Sequence, residues 1–236
     1  MAELAPQVPW PELLERLDWR QGEHVSLVGP TGAGKTTLTL EILERRANVV
    51  VFANKPRDSS MDRLVRRPGW TKMARFEPKP GQRRIVLWPK GKGLDDYLVV
   101  QRAAYKEALE RIWADGHWCV AFDEVRYLCD DLGLKQYAET YWQQARALRI
   151  SVVAATQRPV SVPVVMWDQA THLFMWRDND DRNLKVIGGL GAIDAKAVRT
   201  YVSALAPREI LYLNTRTGVL LRSTVEPSQA LVGGSS

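Results

Sequence analysis

The sequence feature that most restricts the possible folds of this chain is the octapeptide GPTGAGKT at residues 29–36. It matches the pattern G-x-x-x-x-G-K-[ST] at every fixed position. It follows the apolar run VSLV (25–28) and precedes a helical pattern that starts at Lys35 and extends to about Arg46. A strand, a glycine-rich loop and a helix in that order predict an α/β fold in which backbone N–H groups and a helix N-terminus face a phosphate.

Each residue type in the octapeptide has an expected role toward a nucleoside triphosphate. The glycines let the backbone approach the phosphates, Lys35 is expected to bridge the β- and γ-phosphates, and the Thr36 hydroxyl is expected to ligate Mg²⁺. The predicted cofactors are therefore ATP and Mg²⁺. A chance glycine-rich turn is the alternative, and the flanking strand and helix argue against it. The predicted nucleotide-binding residues are Gly29, Pro30, Thr31, Gly32, Ala33, Gly34, Lys35, Thr36 and Thr37.

The rest of the chain alternates short apolar runs with longer helical patterns, which is typical of βαβ units and a mainly parallel sheet with helices on both faces. A C-terminal β-hairpin is predicted from ILYLN and VLLRSTV, with Thr217-Gly218 at the turn. The other predicted strands are VVVFA (49–53), RIVLW (84–88), WCVAF (118–122), SVVAAT (151–156) and HLFMW (172–176). The predicted helices span about 61–67, 94–114, 137–148 and 194–205.

We expect a single domain over residues 1–227, followed by a flexible tail at 228–236. No apolar run approaches the roughly 20 residues that a membrane span requires, and the two cysteines are expected to be free thiols. The charge is unevenly distributed: residues 55–92 carry 12 basic and 3 acidic side chains, a net charge of +9 against +6 for the whole chain. The basic insertion at about 55–93 is therefore predicted to be an elaboration on the core, suited either to a polyanion or to solvent.

The acidic pair Asp123-Glu124 directly follows the apolar strand 118–122. The carboxyl end of that strand is expected beside the phosphate loop, because parallel strands end at the same edge of a sheet. Asp123 would then hold Mg²⁺ through a water ligand, and Glu124 would orient or deprotonate the water that attacks the γ-phosphate. An acidic helix N-terminus is the alternative. Together with a complete phosphate loop, the pair favours an ATP hydrolase.

Gln157 follows the strand 151–156, so it is expected at the same edge of the sheet. Its amide can bond both a γ-phosphate and the attacking water, which would let it sense the state of the nucleotide. Without the neighbouring motifs, a glutamine after a strand is an ordinary surface residue.

Three segments taken together, GPTGAGKTT, VAFDEV and ARALRISVVAATQRP, resemble the FtsK/HerA group of ring-forming DNA motors. The resemblance covers about residues 20–215 and is strongest from 118 to 159. It implies a RecA-like P-loop core and a homo-oligomeric, hexameric ring. It also implies that an arginine before the last core strand reaches the γ-phosphate bound by the neighbouring subunit, a place that Arg146 occupies here. Arg149 is the reserve candidate, and a solvated helix-end cation is the alternative.

Contacts with double-stranded DNA are the second consequence of the resemblance. The loop between the acidic pair and the arginine-bearing helix, DDLGLKQ, would face the central channel, and Lys135 is its one cation. The basic insertion adds further candidates for non-specific contact with the phosphate backbone. These candidates are Lys55, Arg57, Arg66, Arg67 and Lys72.

The motor core accounts for nearly the whole chain, as in the genome-packaging ATPases of tail-less, membrane-containing viruses. The sequence therefore suggests packaging of DNA into a capsid, in the host cytoplasm or docked at a virion vertex through a capsid or membrane protein. Two other functions stay open. One is a protein-export or filament-assembly ATPase of the zonular-occludens-toxin type, and the other is a monomeric nucleotide-dependent switch.

Overall fold

A computed structural model of the chain describes residues 5–188 and 195–226. Within these residues one sheet of nine strands has the order β3-β4-β2-β5-β6-β1-β7-β8-β9. All neighbouring strands from β3 to β7 are parallel, and β8 and β9 are antiparallel additions at one end. The strands are β1 (Val25–Val28), β2 (Val49–Phe52), β3 (Trp70–Met73), β4 (Arg84–Leu87), β5 (Cys119–Phe122), β6 (Ser151–Thr156), β7 (His172–Trp176), β8 (Glu209–Asn214) and β9 (Leu220–Thr224).

Helices connect the parallel strands and cover the sheet. They are α1 (Trp10–Arg16), α2 (Lys35–Leu43), α3 (Ser59–Val65), α4 (Leu94–Asp115), α5 (Lys135–Gln144), α6 (Val165–Asp168), α7 (Asp181–Gly188) and α8 (Ala195–Ala204). A π-helical turn at Tyr127–Asp131 follows β5, and a 3₁₀ turn at Ala145–Leu148 joins α5 to β6. In the part of the chain that is described, no helix has the length and apolar character needed to cross a bilayer.

The hydrophobic core lies on both faces of the sheet. Strands β1, β2, β5 and β6 are buried at every residue, which is expected for central parallel strands with helices on both sides. Successive side chains alternate between the faces: Val50 and Phe52 belong to one apolar cluster, and Val49 and Val51 belong to the other. This two-sided burial fixes the register of the strands. Because the strands from β3 to β7 are parallel, their carboxyl ends meet at one edge of the sheet.

The predicted fold class is confirmed, including the mainly parallel sheet and the C-terminal hairpin. Segment 55–93 supplies strands β3 and β4, which extend one end of the sheet through the pairing of β4 with β2. Its description as an elaboration on the core stays a prediction. Strand β3 and helices α1, α6 and α7 had not been predicted. The tail predicted at 228–236 lies outside the described residues.

Candidate active site

The octapeptide forms the turn between β1 and α2, at the carboxyl edge of the sheet. Two of its glycines are required by their surroundings. A Cβ atom on Gly29 would lie 2.6 Å from the Cβ atom of Trp176, the last residue of β7. Gly34, at the N-cap of α2, has a φ of 108°, a left-handed value that a side chain disfavours. The loop is therefore held tightly against the sheet while its backbone turns around the position of a phosphate.

Lys35 is folded back into this loop. Its Nζ atom donates to the carbonyl oxygens of Gly29 at 2.7 Å and Pro30 at 2.8 Å, and the side chain is buried. Burial lowers the pKa of Lys35, against the opposing influence of Glu124 and Asp123. A buried ammonium satisfied only by two carbonyls is well placed to bind an anion that enters the loop.

Thr36 and Asp123 come together as the sequence predicted. The Thr36 hydroxyl donates to Asp123 Oδ1 at 2.6 Å, and both side chains are partly buried. Hydroxyl and carboxylate oxygens are suitable ligands for Mg²⁺, which characteristically takes few protein ligands and completes its shell with phosphate and water. In keeping with this, the described residues contain no group of three or more His, Cys, Asp or Glu side chains that could enclose a metal ion. Thr36 and Asp123 thus fit an ion that arrives with a nucleotide.

Glu124 adjoins this pair but has a different environment. Its Oε1 atom accepts a hydrogen bond from the Thr156 hydroxyl, at 3.1 Å, at the carboxyl end of the neighbouring strand β6. Burial raises the pKa of Glu124, and the hydrogen bond from Thr156 and the nearby Lys35 oppose that rise. A fixed carboxylate with a raised pKa is suited to accept a proton from water.

Gln157 also lies at this edge, where its Oε1 atom accepts from the Thr31 hydroxyl at 2.8 Å. The link joins the tip of the phosphate loop to the end of β6. Beside it a cleft of about 410 Å³ is lined in part by Arg158 and Arg177, which follow β6 and β7. Neither of these two exposed arginines had been predicted to have a role, although each follows a predicted strand, which would have placed both at the carboxyl edge.

The cations proposed for DNA contact have different surroundings in the structure. Lys55 is not on an outer basic surface, because its Nζ atom lies 3.7 Å from Asp123 Oδ2 in the candidate site. Arg67 forms an ion pair with Glu44 at 3.3 Å, and Lys135 lies 3.9 Å from Glu139 on the same helix. Lys72 lies over the ring of Trp88 at 3.7 Å. Arg57 and Arg66 are exposed near α3.

Arg146 lies at the opposite, amino edge of the sheet, in the 3₁₀ turn before β6. Arg146 precedes β6 and Gln157 follows it, and the six residues of that strand span about 20 Å. The side chain of Arg146 is 62% exposed, and its Nη2 atom lies 3.7 Å from Oε1 of the buried Glu23. Arg146 therefore cannot serve the phosphate loop of its own chain. Arg149, with a left-handed φ of 54°, closes the same turn.

Glu23 is buried and contacts one buried and two more exposed side chains. Its Oε1 atom lies 2.8 Å from Arg216 Nη1, and its Oε2 atom lies 3.1 Å from His172 Nε2. Burial lowers the pKa of His172 despite the adjacent carboxylate, so the imidazole is neutral at pH 7. The closer Arg216 neutralises the carboxylate, the backbone N–H of Arg20 donates to Oε2 at 2.8 Å, and Arg146 is the most distant of these four partners. The contact between Glu23 and Arg146 is accordingly weak enough to exchange for another anion.

No protein-family model matches the chain, and no curated protein matches it. Several solved structures share its fold. The genome packaging NTPase B204 from Sulfolobus turreted icosahedral virus 2, in complex with sulfate, has 15% identity and a TM-score of 0.58 over 88% of this chain and 99% of that chain. VirB4 of Thermoanaerobacter pseudethanolicus has 10% identity and a TM-score of 0.64 over 89% and 90% of the two chains. The bacterial conjugative coupling protein TrwB has 10% identity and a TM-score of 0.58 over 96% and 94%.

These similarities confirm the predicted fold: the chain shares the RecA-like P-loop architecture of these solved structures, a mostly parallel sheet with helices and a C-terminal hairpin. B204 has also been solved with AMPPCP and with ATP-gammaS, so that neighbour binds ATP analogues. At these identities the comparison establishes architecture, and the roles of individual side chains depend on the geometry described above.

Proposed function

We propose that this chain is an ATP-hydrolysing ring motor that moves double-stranded DNA and packages a viral genome into a capsid. The observation that carries the hydrolytic part is the direct Thr36–Asp123 hydrogen bond beside the partly buried Glu124. Lys35, Thr36 and Asp123 bind the phosphates and Mg²⁺, which supplies Lewis-acid polarisation of the phosphoryl oxygens. Glu124 accepts a proton from the attacking water, and Gln157 orients that water.

The oligomeric part of the proposal follows from the position of Arg146. An exposed guanidinium at the amino edge of the sheet reaches a nucleotide only in another copy of the chain, and a ring of six copies brings the two edges together at each seam. Delivered there, Arg146 neutralises charge that develops on the transferred phosphoryl group. Arg149 in the same turn is the reserve candidate.

The nucleic-acid part rests on the fold and on charge. Among the structural neighbours, B204 is described as a DNA-packaging ATPase. Arg57, Arg66 and Lys135 are the exposed cations proposed to contact the DNA backbone without reading bases. The location proposed is the host cytoplasm, with docking at a virion vertex through a capsid or membrane protein.

The test is the ATPase rate of the purified chain, measured against protein concentration with and without duplex DNA. A specific rate that rises with concentration and rises further with DNA supports the ring motor. A rate that rises with concentration but ignores DNA contradicts translocation and favours an ATPase that acts on protein. A rate independent of both contradicts the ring and favours a monomeric switch.

A further inference from the structure

Lys55 belongs to the candidate active site, although the sequence had placed it among the cations of the basic insertion. Its Nζ atom lies 3.7 Å from Asp123 Oδ2 and 3.5 Å from Asp58 Oδ2. Asp123 uses its other oxygen to accept from Thr36. One ammonium group therefore lies against the carboxylate that is suited to hold a metal ion.

Strand order explains this position. Strand β2 is paired with β5 in parallel, with Phe52 opposite Phe122. Lys55 lies three residues beyond Phe52, and Asp123 lies one residue beyond Phe122, so both follow neighbouring strands at the carboxyl edge. The contact follows from the pairing of these two strands.

Asp58 anchors this lysine from the other side. Its Oδ1 atom caps α3 by accepting from the backbone N–H groups of Ser60 at 2.9 Å and Met61 at 3.2 Å. Its Oδ2 atom remains directed at Lys55. The Asp58 side chain is 10% exposed and that of Lys55 is 58% exposed, so a fixed carboxylate holds a cation that can still move.

From this arrangement we propose that Lys55 contacts the terminal phosphate of bound ATP, as a second lysine of the site beside Lys35. A magnesium ion held at Asp123 would repel the neighbouring ammonium, so Lys55 is expected to shift from that carboxylate toward the phosphates when the magnesium nucleotide binds. Asp58 keeps the ammonium at the same edge of the sheet. The anion then available to the ammonium is the terminal phosphate of ATP, beside the metal ion. ADP lacks this phosphate.

The proposal rests on the proposed function only in that the site binds ATP, and binding measurements test it without DNA or assembly. ATP and ADP affinities would be measured with Mg²⁺ by calorimetry in a Glu124→Gln background, where ATP persists. Lys55→Ala should weaken ATP binding about tenfold, the value of one charge-assisted hydrogen bond, and ADP binding less than about twofold. Lys55→Arg should restore part of the ATP preference.

Lys106→Ala is the matched control, because Lys106 is similarly exposed and pairs with one carboxylate, Glu110, at 3.7 Å on α4. It should leave both affinities unchanged. Loss of ATP and ADP affinity by the same factor in Lys55→Ala, or no loss of either, would overturn the proposal. If the parent chain binds ATP normally but DNA never stimulates its ATPase, the proposed motor fails while the assignment of Lys55 stands.

Discussion

At the scale of single residues, Asp123 and Glu124 are adjacent acids with different tasks. Asp123 is bonded to Thr36 and lies beside Lys55, so cations and donors stabilise its negative charge. Burial raises the pKa of Glu124, and the Thr156 hydroxyl donates to its carboxylate. The first is suited to hold a metal ion and the second to take up a proton.

Glu124→Gln should retain ATP binding and reduce turnover by about 10²-fold or more, because the amide cannot accept the proton from water. Since the folded-state pKa of Glu124 is raised, its ionised form disfavours the fold at neutral pH. The variant should therefore have an equal or higher Tm than the parent at pH 7, and this advantage should shrink below pH 4.5, where the carboxyl is protonated in both folded and unfolded states.

Thermal unfolding at the two pH values and single-turnover hydrolysis check both parts. Asp123→Asn serves as the comparison, because it removes the charge proposed to hold the metal and should weaken magnesium-dependent ATP binding. Normal turnover in Glu124→Gln would exclude Glu124 as the base.

At the scale of elements, the sequence predicted the strands that are buried at the centre of the sheet. Strands β1, β5 and β6 are covered on both faces, so they appear as uninterrupted apolar runs, and the acids and amide that follow them could be placed at one edge. Strand β3 was missed because it is an edge strand in which only Trp70 is buried. Its sequence, WTKM, has no apolar run to recognise.

The parts of the site that escaped prediction depend on which strands are neighbours. Lys55 meets Asp123 only because β2 pairs with β5, and a single sequence does not determine that order. Likewise, Glu23 meets His172 because β1 pairs with β7. The phosphate loop could be predicted without the strand order, because its residues are contiguous in the sequence.

Helix α3 supplies a prediction at this scale. Asp58→Ala removes the cap that accepts from Ser60 and Met61, and the loss of an N-cap costs about 1 kcal/mol in the free energy of unfolding. Urea unfolding would measure the change. Asp62→Ala is the control, because Asp62 is an exposed acid in the first turn of the same helix and should have a much smaller effect. Equal losses in the two variants would show that the cap does not stabilise α3.

At the scale of the whole molecule, the residues proposed for catalysis lie at two opposite edges of the sheet. The carboxyl edge carries the phosphate loop, Asp123, Glu124 and Gln157, and the amino edge carries Arg146 on its weak contact with Glu23. In the proposed motor, one chain therefore carries both halves of the catalytic site but cannot join them. Closure of a ring would join each site to the guanidinium of the next subunit.

Mixing experiments test this division. Arg146→Ala alone should bind ATP nearly as the parent does and lose hydrolysis. Mixed in equal amounts with Glu124→Gln, it should regain about a quarter of the parent rate, because random assembly places an intact Glu124 beside a neighbour that supplies Arg146 at a quarter of the seams. The matched control is a partner that carries both substitutions, which has no arginine to supply and should restore nothing. Equal recovery with the two partners, or none with either, would exclude Arg146, and the same pair of mixtures made with Arg149→Ala would then test the reserve candidate.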